Sequence, residues 1–268
     1  GDMMAMTHPR TVVLFVVDGM RPDGMLLADT PTLDRLVTCG AHTMRARTVM
    51  PSVTLPCHAS LFLGVAPGRH GITTKTWTPQ VRPVPGLFEV IHGAGLGTAS
   101  FYNWEPLRDL SRPGALDAAF FLDNCHDPEG IGDTALAELA CDWLKNNEVS
   151  LAFVYLGYTD IAGHDHAWMT EPYLRAIANA DRCIARVLGV VPADTVAIVT
   201  SDHGGHQQMH GTDMDEDLTI PLIVSGAGIP SGMTIERAVS LVDVAPTITR
   251  LFGIREPEDW TGEGLFLV

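Results

Sequence analysis

The sequence predicts an α/β fold: a parallel sheet, mixed at its edge, sandwiched between helices. Three observations predict it. Continuous apolar runs at 11–17 (TVVLFVV), 150–156 (SLAFVYL) and 195–200 (TVAIVT) have the composition of strands covered on both faces. Helical patterns lie between these runs, and strands alternating with helices mean a parallel sheet with helices on both sides. Each of the three runs is followed by an aspartate (Asp18, Asp160, Asp202), so acids collect at the carboxyl ends of the strands, where open α/β sheets place their sites.

Taken in order, 11–17 is a central strand that ends at Asp18-Gly19, the acid being either a turn residue or a ligand. Thr30 as N-cap, Pro31 at the first helical position and Gly40 past the end punctuate a helix over 31–39. Residues 41–50 alternate loosely, as a strand. Pro51 and Pro56 bracket Thr54, and an apolar helical stretch follows to Gly64. Thr54 therefore stands at a helix N-terminus, either as a plain cap or as a hydroxyl beside a bound anion. In the loop 66–71, His70 is expected to be a structural hydrogen-bonding residue.

A short helix over 86–92, a strand over 97–102 and a short strand over 118–122 come next. Ile131, Ala135, Leu139 and Trp143 mark an amphipathic helix over 131–146. After the strand 150–156, a long helix over 173–191 buries a stripe with Leu174, Ile177, Ile184 and Leu188, in which Asp181 is a cap or a polar contact. The run 195–200 leads into Asp202-His203-Gly204-Gly205, whose glycines are expected to keep backbone bulk away from His210. An acidic loop precedes a strand over 219–225, and a helix over 242–252 closes at Gly253. No repeat or linker interrupts the chain. A single domain over 1–268 is expected, with 1–9 as a disordered or tag-derived start.

A formal charge of −15 argues against nucleic-acid backbone binding, which needs clustered Lys and Arg. It does not exclude an anionic substrate, because metal ions can neutralise acids locally. Five scattered cysteines without a CxxC pattern favour reduced thiols and a cytoplasmic setting. No apolar run reaches the roughly 18 residues of a membrane span.

Side by side, the strand-end residues form a constellation. Asp18, Asp160, His164, Asp202, His203 and His210 offer three carboxylates and three imidazoles, suited to zinc or a similar divalent ion. Six protein ligands exceed the three that a catalytic zinc takes. They suit two ions about 3.5–4 Å apart, an arrangement used for displacement at phosphorus. Thr54 adds a nucleophile at a phosphate-friendly helix end.

These motifs resemble the alkaline phosphatase superfamily, most closely its type I phosphodiesterase/nucleotide pyrophosphatase branch. The resemblance runs through Val12-Val13-Leu14-Phe15-Val16-Val17-Asp18-Gly19 and Pro51-Ser52-Val53-Thr54-Leu55-Pro56-Cys57-His58. It continues with Tyr158-Thr159-Asp160-Ile161-Ala162-Gly163-His164, Ser201-Asp202-His203-Gly204, His210-Gly211 and the tail Leu241-Val242-Asp243-Val244-Ala245-Pro246-Thr247-Ile248. It implies an alkaline-phosphatase-like core and a threonine-nucleophile phosphodiesterase with two divalent ions, zinc first and manganese as the alternative. Asp160, His164 and His210 would hold one ion; Asp18, Asp202, His203 and the Thr54 oxygen would hold the other. Thr54 would attack phosphorus to give a phosphothreonine that is then hydrolysed. His166 and His206 would line the pocket or support ligands. The implied partner is a small-molecule phosphoester, with no membrane; the oligomeric state is left open.

Two features depart from the branch. The position of an asparagine that contacts phosphate oxygen falls on Lys75, which either favours a more highly charged substrate such as a monoester or is a solvated surface lysine. Asn103 is an alternative substrate-binding donor. A core without a large cap domain is also expected, which makes 75–85 and 103–128 the candidates to roof the site. A phosphomonoesterase, phosphonate hydrolase or sulfatase-type hydrolase is the alternative on the same site. Thr54-Leu55-Pro56-Cys57-His58 lacks the Cys/Ser-x-Pro-x-Arg pattern of sulfatases, and a phosphoglycerate mutase would bring a serine nucleophile and a large inserted domain. A non-enzymatic metal-binding protein is disfavoured because every ligand position is filled.

Overall fold

In the structure, a computed structural model that describes residues 8–265, eight strands form one sheet with helices on both faces. The strands are β1 Val12–Val17, β2 Ala41–Arg47, β3 Thr98–Tyr102, β4 Ala118–Phe121, β5 Leu151–Leu156, β6 Val196–Thr200, β7 Thr219–Ser225 and β8 Met233–Thr234. Their spatial order is β4-β3-β5-β1-β6-β7-β2-β8. The β4-to-β6 half is parallel, and β7 alone runs against its neighbours β6 and β2. The departure from parallel thus lies one pair inside the β8 edge.

The helices are α1 Pro22–Leu27, α2 Pro31–Cys39, α3 Thr54–Leu63, α4 Pro67–His70, α5 Leu87–Gly93, α6 Ile131–Leu144, α7 Tyr158–His166, α8 Glu171–Leu188, α9 Asp215–Leu218 and α10 Val244–Leu251. Strand β1 shows why the sheet needs cover on both sides, since all six of its side chains are buried. Val12, Leu14 and Val16 join a core with Leu61 and Phe62 of α3, Phe88 of α5 and Ile248 of α10. Val13, Phe15 and Val17 join a second core with Leu33 of α2, Leu136 of α6 and Ile177 of α8. Each fully buried side chain such as Phe15 or Phe153 contributes about 1.5–3 kcal/mol.

The helix expected over 31–39 has those bounds, but its cap differs. The Thr30 side chain turns to Met25 O and Asp34, while the free N–H groups of Thr32 and Leu33 donate to Asp181 of α8 at 3.2 and 2.7 Å. The polar residue in the stripe of α8 is therefore a cap for another helix. In α6 the expected stripe is displaced by one position: Ile131 and Ala135 are exposed, whereas Leu136, Ala137, Ala140 and Leu144 are buried. Spacing alone admits either register, and the helix is set by Gly132 and Asp133, which turn inward. The loop 66–71 contains the short α4, and His70 accepts from Ile72 N and pairs with Ser60 Oγ.

Of the expected start over 1–9, residues 1–7 lie outside the described residues; His8 bonds through Nδ1 to Leu251 O at 3.0 Å. Among the described residues no helix is long and apolar enough to cross a membrane. The five cysteines are free.

Candidate metal centre

The site lies at the carboxyl ends of β1, β5 and β6, adjacent strands in the sheet. Their parallel register brings the residues after Val17, Leu156 and Thr200 together. Asp18 follows β1 directly, and Asp202 and His203 follow β6 after Ser201. The segment after β5 is helical, which spacing had not revealed. Asp160 and His164 stand one turn apart on α7, so Asp-x-x-x-His places both on one face. His210 arrives on the loop that returns from β6, and Thr54 is the first residue of α3.

Two groups of potential ligand atoms result, Asp160 with His164 and His210, and Asp18 with Asp202 and His203; within each, all lie within 4.8 Å of one another. His203 Nε2 is 3.1 Å from Asp18 Oδ1 and 3.4 Å from Asp202 Oδ2. His164 Nε2 is 3.4 Å from Asp160 Oδ2, and His210 Nε2 is 3.4 Å from Asp160 Oδ1. Asp160 Oδ1 also stands 3.9 Å from His203 Nε2 and so joins the groups. The Thr54 hydroxyl lies 3.4 Å from Asp18 Oδ2 and 3.3 Å from His203 Nε2. The structure thus brings together all seven residues expected at the centre.

The donor set fits two divalent cations. Bonds of about 2.0–2.1 Å in tetrahedral geometry put donor atoms roughly 3.3 Å apart, close to the separations above. Each imidazole is turned by a backbone carbonyl: the Nδ1 atoms of His164, His203 and His210 pair with Gln208 O, Gly204 O and Ser52 O at 3.1, 2.7 and 2.9 Å. Each Nδ1 therefore donates, and each Nε2 lone pair faces the carboxylates, the tautomer a metal ligand needs. Asp18 Oδ1, Asp160 Oδ1 and Asp202 Oδ2 are buried with no hydrogen-bond partner among the described residues. Carboxylate oxygens and imidazole lone pairs facing one another out of water demand a positive charge between them. Burial and Asp18 drive the Asp202 carboxyl well above the usual range. Burial lowers His203, yet Asp202 and Asp18 outweigh it and hold its imidazole up at about 10 when a proton must supply that charge.

The surroundings hold each ligand. Asp202 Oδ1 accepts from Gly19 N and His203 N at 3.1 and 2.9 Å, leaving Oδ2 for the site. The Tyr155 hydroxyl donates to Asp18 Oδ2. Asp133 of α6, fully buried, accepts from Gly157 N and Tyr158 N at 3.2 Å each and so caps α7, the helix that carries two ligands. His58, one turn along α3, donates from Nδ1 to Thr54 O at 2.8 Å and packs edge-on against Tyr155. The positions of Tyr155, Asp133 and His58 in the sequence do not reveal these roles. Their only signal is a polar atom inside an otherwise apolar stretch.

Asn103 and Lys75 have different fates. Asn103 is fully buried and donates from Nδ2 to Asp133 Oδ1 at 2.7 Å, so it braces the α7 cap and does not line the cavity. Lys75 lines a cavity of about 250 Å³ together with Asp18, Thr54, Trp104, His126, Asp160 and His164. Cys125 also faces this space, so 103–128 borders the site through Trp104, Cys125 and His126, whereas of 75–85 Lys75 alone lines it. A larger cavity of about 940 Å³ opens at the opposite ends of the strands, around Thr11, Gly97 and Ser150, and contains neither ligand group. His206 pairs with buried Asp217 at 2.7 Å, which steadies the His210 loop, while His166 is exposed.

The glycines after His203 have another purpose than expected. A Cβ on Gly204 would stand 1.9 Å from Glu216 O, and one on Gly205 would stand 2.1 Å from the Trp168 ring. They admit Glu216 and Trp168 and do not shield His210.

Fold and site together define a three-layer α/β protein with paired groups of potential cation ligands at the strand ends. Residues 12–107 match the family model of type I phosphodiesterase / nucleotide pyrophosphatase, and residues 129–256 match that of the metalloenzyme superfamily. Over both matched stretches the chain is similar to the alkaline phosphatase superfamily. The 2,3-bisphosphoglycerate-independent phosphoglycerate mutase of Staphylococcus aureus is 33% identical over 129 residues, 46% of this chain and 24% of the mutase. The chain thus spans about a quarter of the curated relatives it matches. Murine ectonucleotide pyrophosphatase / phosphodiesterase 5, solved with AMP, shares the fold at a TM-score of 0.77 and 14% identity, over 94% of this chain and 97% of that one. The phosphonate monoester hydrolase of Agrobacterium radiobacter does so at 0.76 and 17%, over 96% and 76%.

Proposed function

We propose that the chain is a two-cation phosphoester hydrolase in which Thr54 is the nucleophile, acting on phosphodiesters or nucleotide pyrophosphates. The observation that carries this reading is the position of the Thr54 hydroxyl, at the first turn of α3, facing the cavity and within 3.4 Å of both Asp18 and His203. Two zinc ions, or manganese in their place, would neutralise the carboxylates, activate the hydroxyl and polarise the phosphoryl oxygens.

The chain's own groups account for the rest. Asp160, His164 and His210 would hold one cation, and Asp18, Asp202, His203 and Thr54 the other. Asp18 Oδ2 is the acceptor within reach of the Thr54 proton once His203 Nε2 is given to a cation. The free N–H groups at the start of α3 and its dipole favour the phosphoryl anion beside Thr54. Attack would leave the phosphoryl group, still bearing its second ester substituent, on Thr54 Oγ1 and expel the alcohol or phosphate leaving group; water would then release the phosphomonoester and restore the Thr54 hydroxyl. Buried Leu55 and Tyr155 and half-buried Val53 line the cavity and limit the access of bulk water. Five unpaired cysteines are in keeping with a reducing, cytoplasmic setting.

One observation favours a monoesterase as second reading: Lys75 borders the cavity and adds a cation that a dianionic phosphate would use. Turnover of bis-p-nitrophenyl phosphate, p-nitrophenyl phosphate and p-nitrophenyl sulfate by protein reconstituted with zinc or manganese tests the proposal. Faster diester turnover supports it, faster monoester turnover supports the second reading, and preference for the sulfate overturns both.

A further inference from the structure

Trp168, in the turn between α7 and α8, touches the segments that carry the aspartate and histidine ligands. Its Nε1 donates to Gly19 O, next to Asp18, at 2.8 Å. Its ring meets His164 edge-on at 5.1 Å and His210 at 5.8 Å between centroids. Three glycines of the ligand-bearing segments close on it. A Cβ on Gly163 would lie 2.7 Å from the indole, one on Gly205 2.1 Å and one on Gly19 3.1 Å. Its backbone N–H donates to Gln207 O at 2.7 Å, in the loop between His203 and His210.

The backbone around it is strained. Ala167 (φ 78°), Met169 (φ 69°) and Gln207 (φ 50°) are non-glycine residues in left-handed conformations. Such conformations persist only where the surroundings over-determine them, and here they turn the chain so that a 5% exposed indole enters between the ligand segments.

We propose that Trp168 is a positioning residue, a wedge that sets the two ligand groups at their mutual distance by seating three glycines and two imidazoles on one ring. The inference rests on the reading that these groups hold cations. A variant of the wedge would leave the ligands present but displaced, and displacement of supporting groups typically costs about 10–100-fold in metal affinity.

The test is titration with Zn²⁺ against a chromophoric chelator, with folding followed by circular dichroism and Tm. Wild type is expected to hold two ions per chain. Trp168→Phe and Gly205→Ala, which approach the same contact from its two sides, are expected to lose about tenfold or more in affinity for at least one ion. Trp143→Phe serves as the structural control. Trp143 packs on Phe101 and Phe120 away from the ligands, so this variant should lower Tm and keep wild-type zinc affinity. Wild-type affinity in a folded Trp168→Phe or Gly205→Ala protein overturns the wedge, as does an equal loss in Trp143→Phe. If wild type holds no zinc, the metal reading fails and the wedge with it.

Discussion

His203 and His210 lie face to face, their ring centroids 3.7 Å apart and their planes 15° from parallel. Two imidazolium ions cannot share such a stack. Burial and the charge of His203 hold His210 down at about 4, a neutral imidazole with its Nε2 toward Asp160. One ring from each ligand group is therefore stacked on the other, and Asp160 stands between them. A cation in one group is felt by the other, so the two sites should not fill or empty as independent units.

Removal of the cations should destabilise the fold. Zinc at about a hundred times its Kd stabilises the loaded state by about 2.7 kcal/mol, or roughly 5–10 °C in Tm for a chain of this size. Thermal unfolding with excess zinc and with a strong chelator measures it; identical Tm values would contradict two cations bound among these carboxylates.

Tyr155→Phe should weaken zinc binding about tenfold while leaving the fold intact. The hydroxyl donates to Asp18 Oδ2 and leaves Oδ1 to face His203. Without that donor, Asp18 is free to turn. Chelator competition reads the loss, and unchanged affinity would show that packing alone fixes Asp18.

Lys75→Asn should shift substrate preference without touching the metals. If the ammonium meets a phosphoryl oxygen, the ratio of monoester to diester kcat/KM falls in the variant. An unchanged ratio would return Lys75 to the solvent.

Asp133 predicts a pH dependence in the metal-free protein. Burial outweighs its hydrogen bonds from Asn103, Tyr158 and Gly157 and raises its carboxyl to about 7, against about 3.9 when unfolded. The folded state then holds the proton more tightly. Stability from this group is full below about pH 4 and declines as pH rises toward 7. Asp133→Asn removes the decline, so relative to wild type the variant should gain roughly 2–3 kcal/mol between pH 5 and pH 8. Urea unfolding at the two values measures this, and parallel curves would contradict it.

The strands and the clustering of the candidate ligands were legible because each depends on short-range chemistry. Uninterrupted runs such as VVLFVV have one stable use, between two layers of helices, and the acids that end them fall together once the strands are parallel. The helix α7 was not legible, because Gly157 to His166 lacks an apolar stripe and is held by a distant cap, Asp133. The register of α6 was hidden for a related reason: a buried aspartate and a glycine take positions that apolar spacing assigns to the surface. Asn103 had the right chemistry for a substrate ligand, but its partner Asp133 is thirty positions away and invisible to local pattern. The same holds for Trp168 and for the glycines whose absent side chains make room for it.

Thr54→Ala tests the central claim most directly, because it removes one hydroxyl at the head of α3 and leaves six ligands in place. Zinc stoichiometry and turnover of bis-p-nitrophenyl phosphate are measured on the same preparation. Near-normal zinc content is expected, with turnover reduced about 10⁴-fold or more, as the loss of a nucleophile requires. Wild-type turnover in the zinc-loaded variant would contradict it.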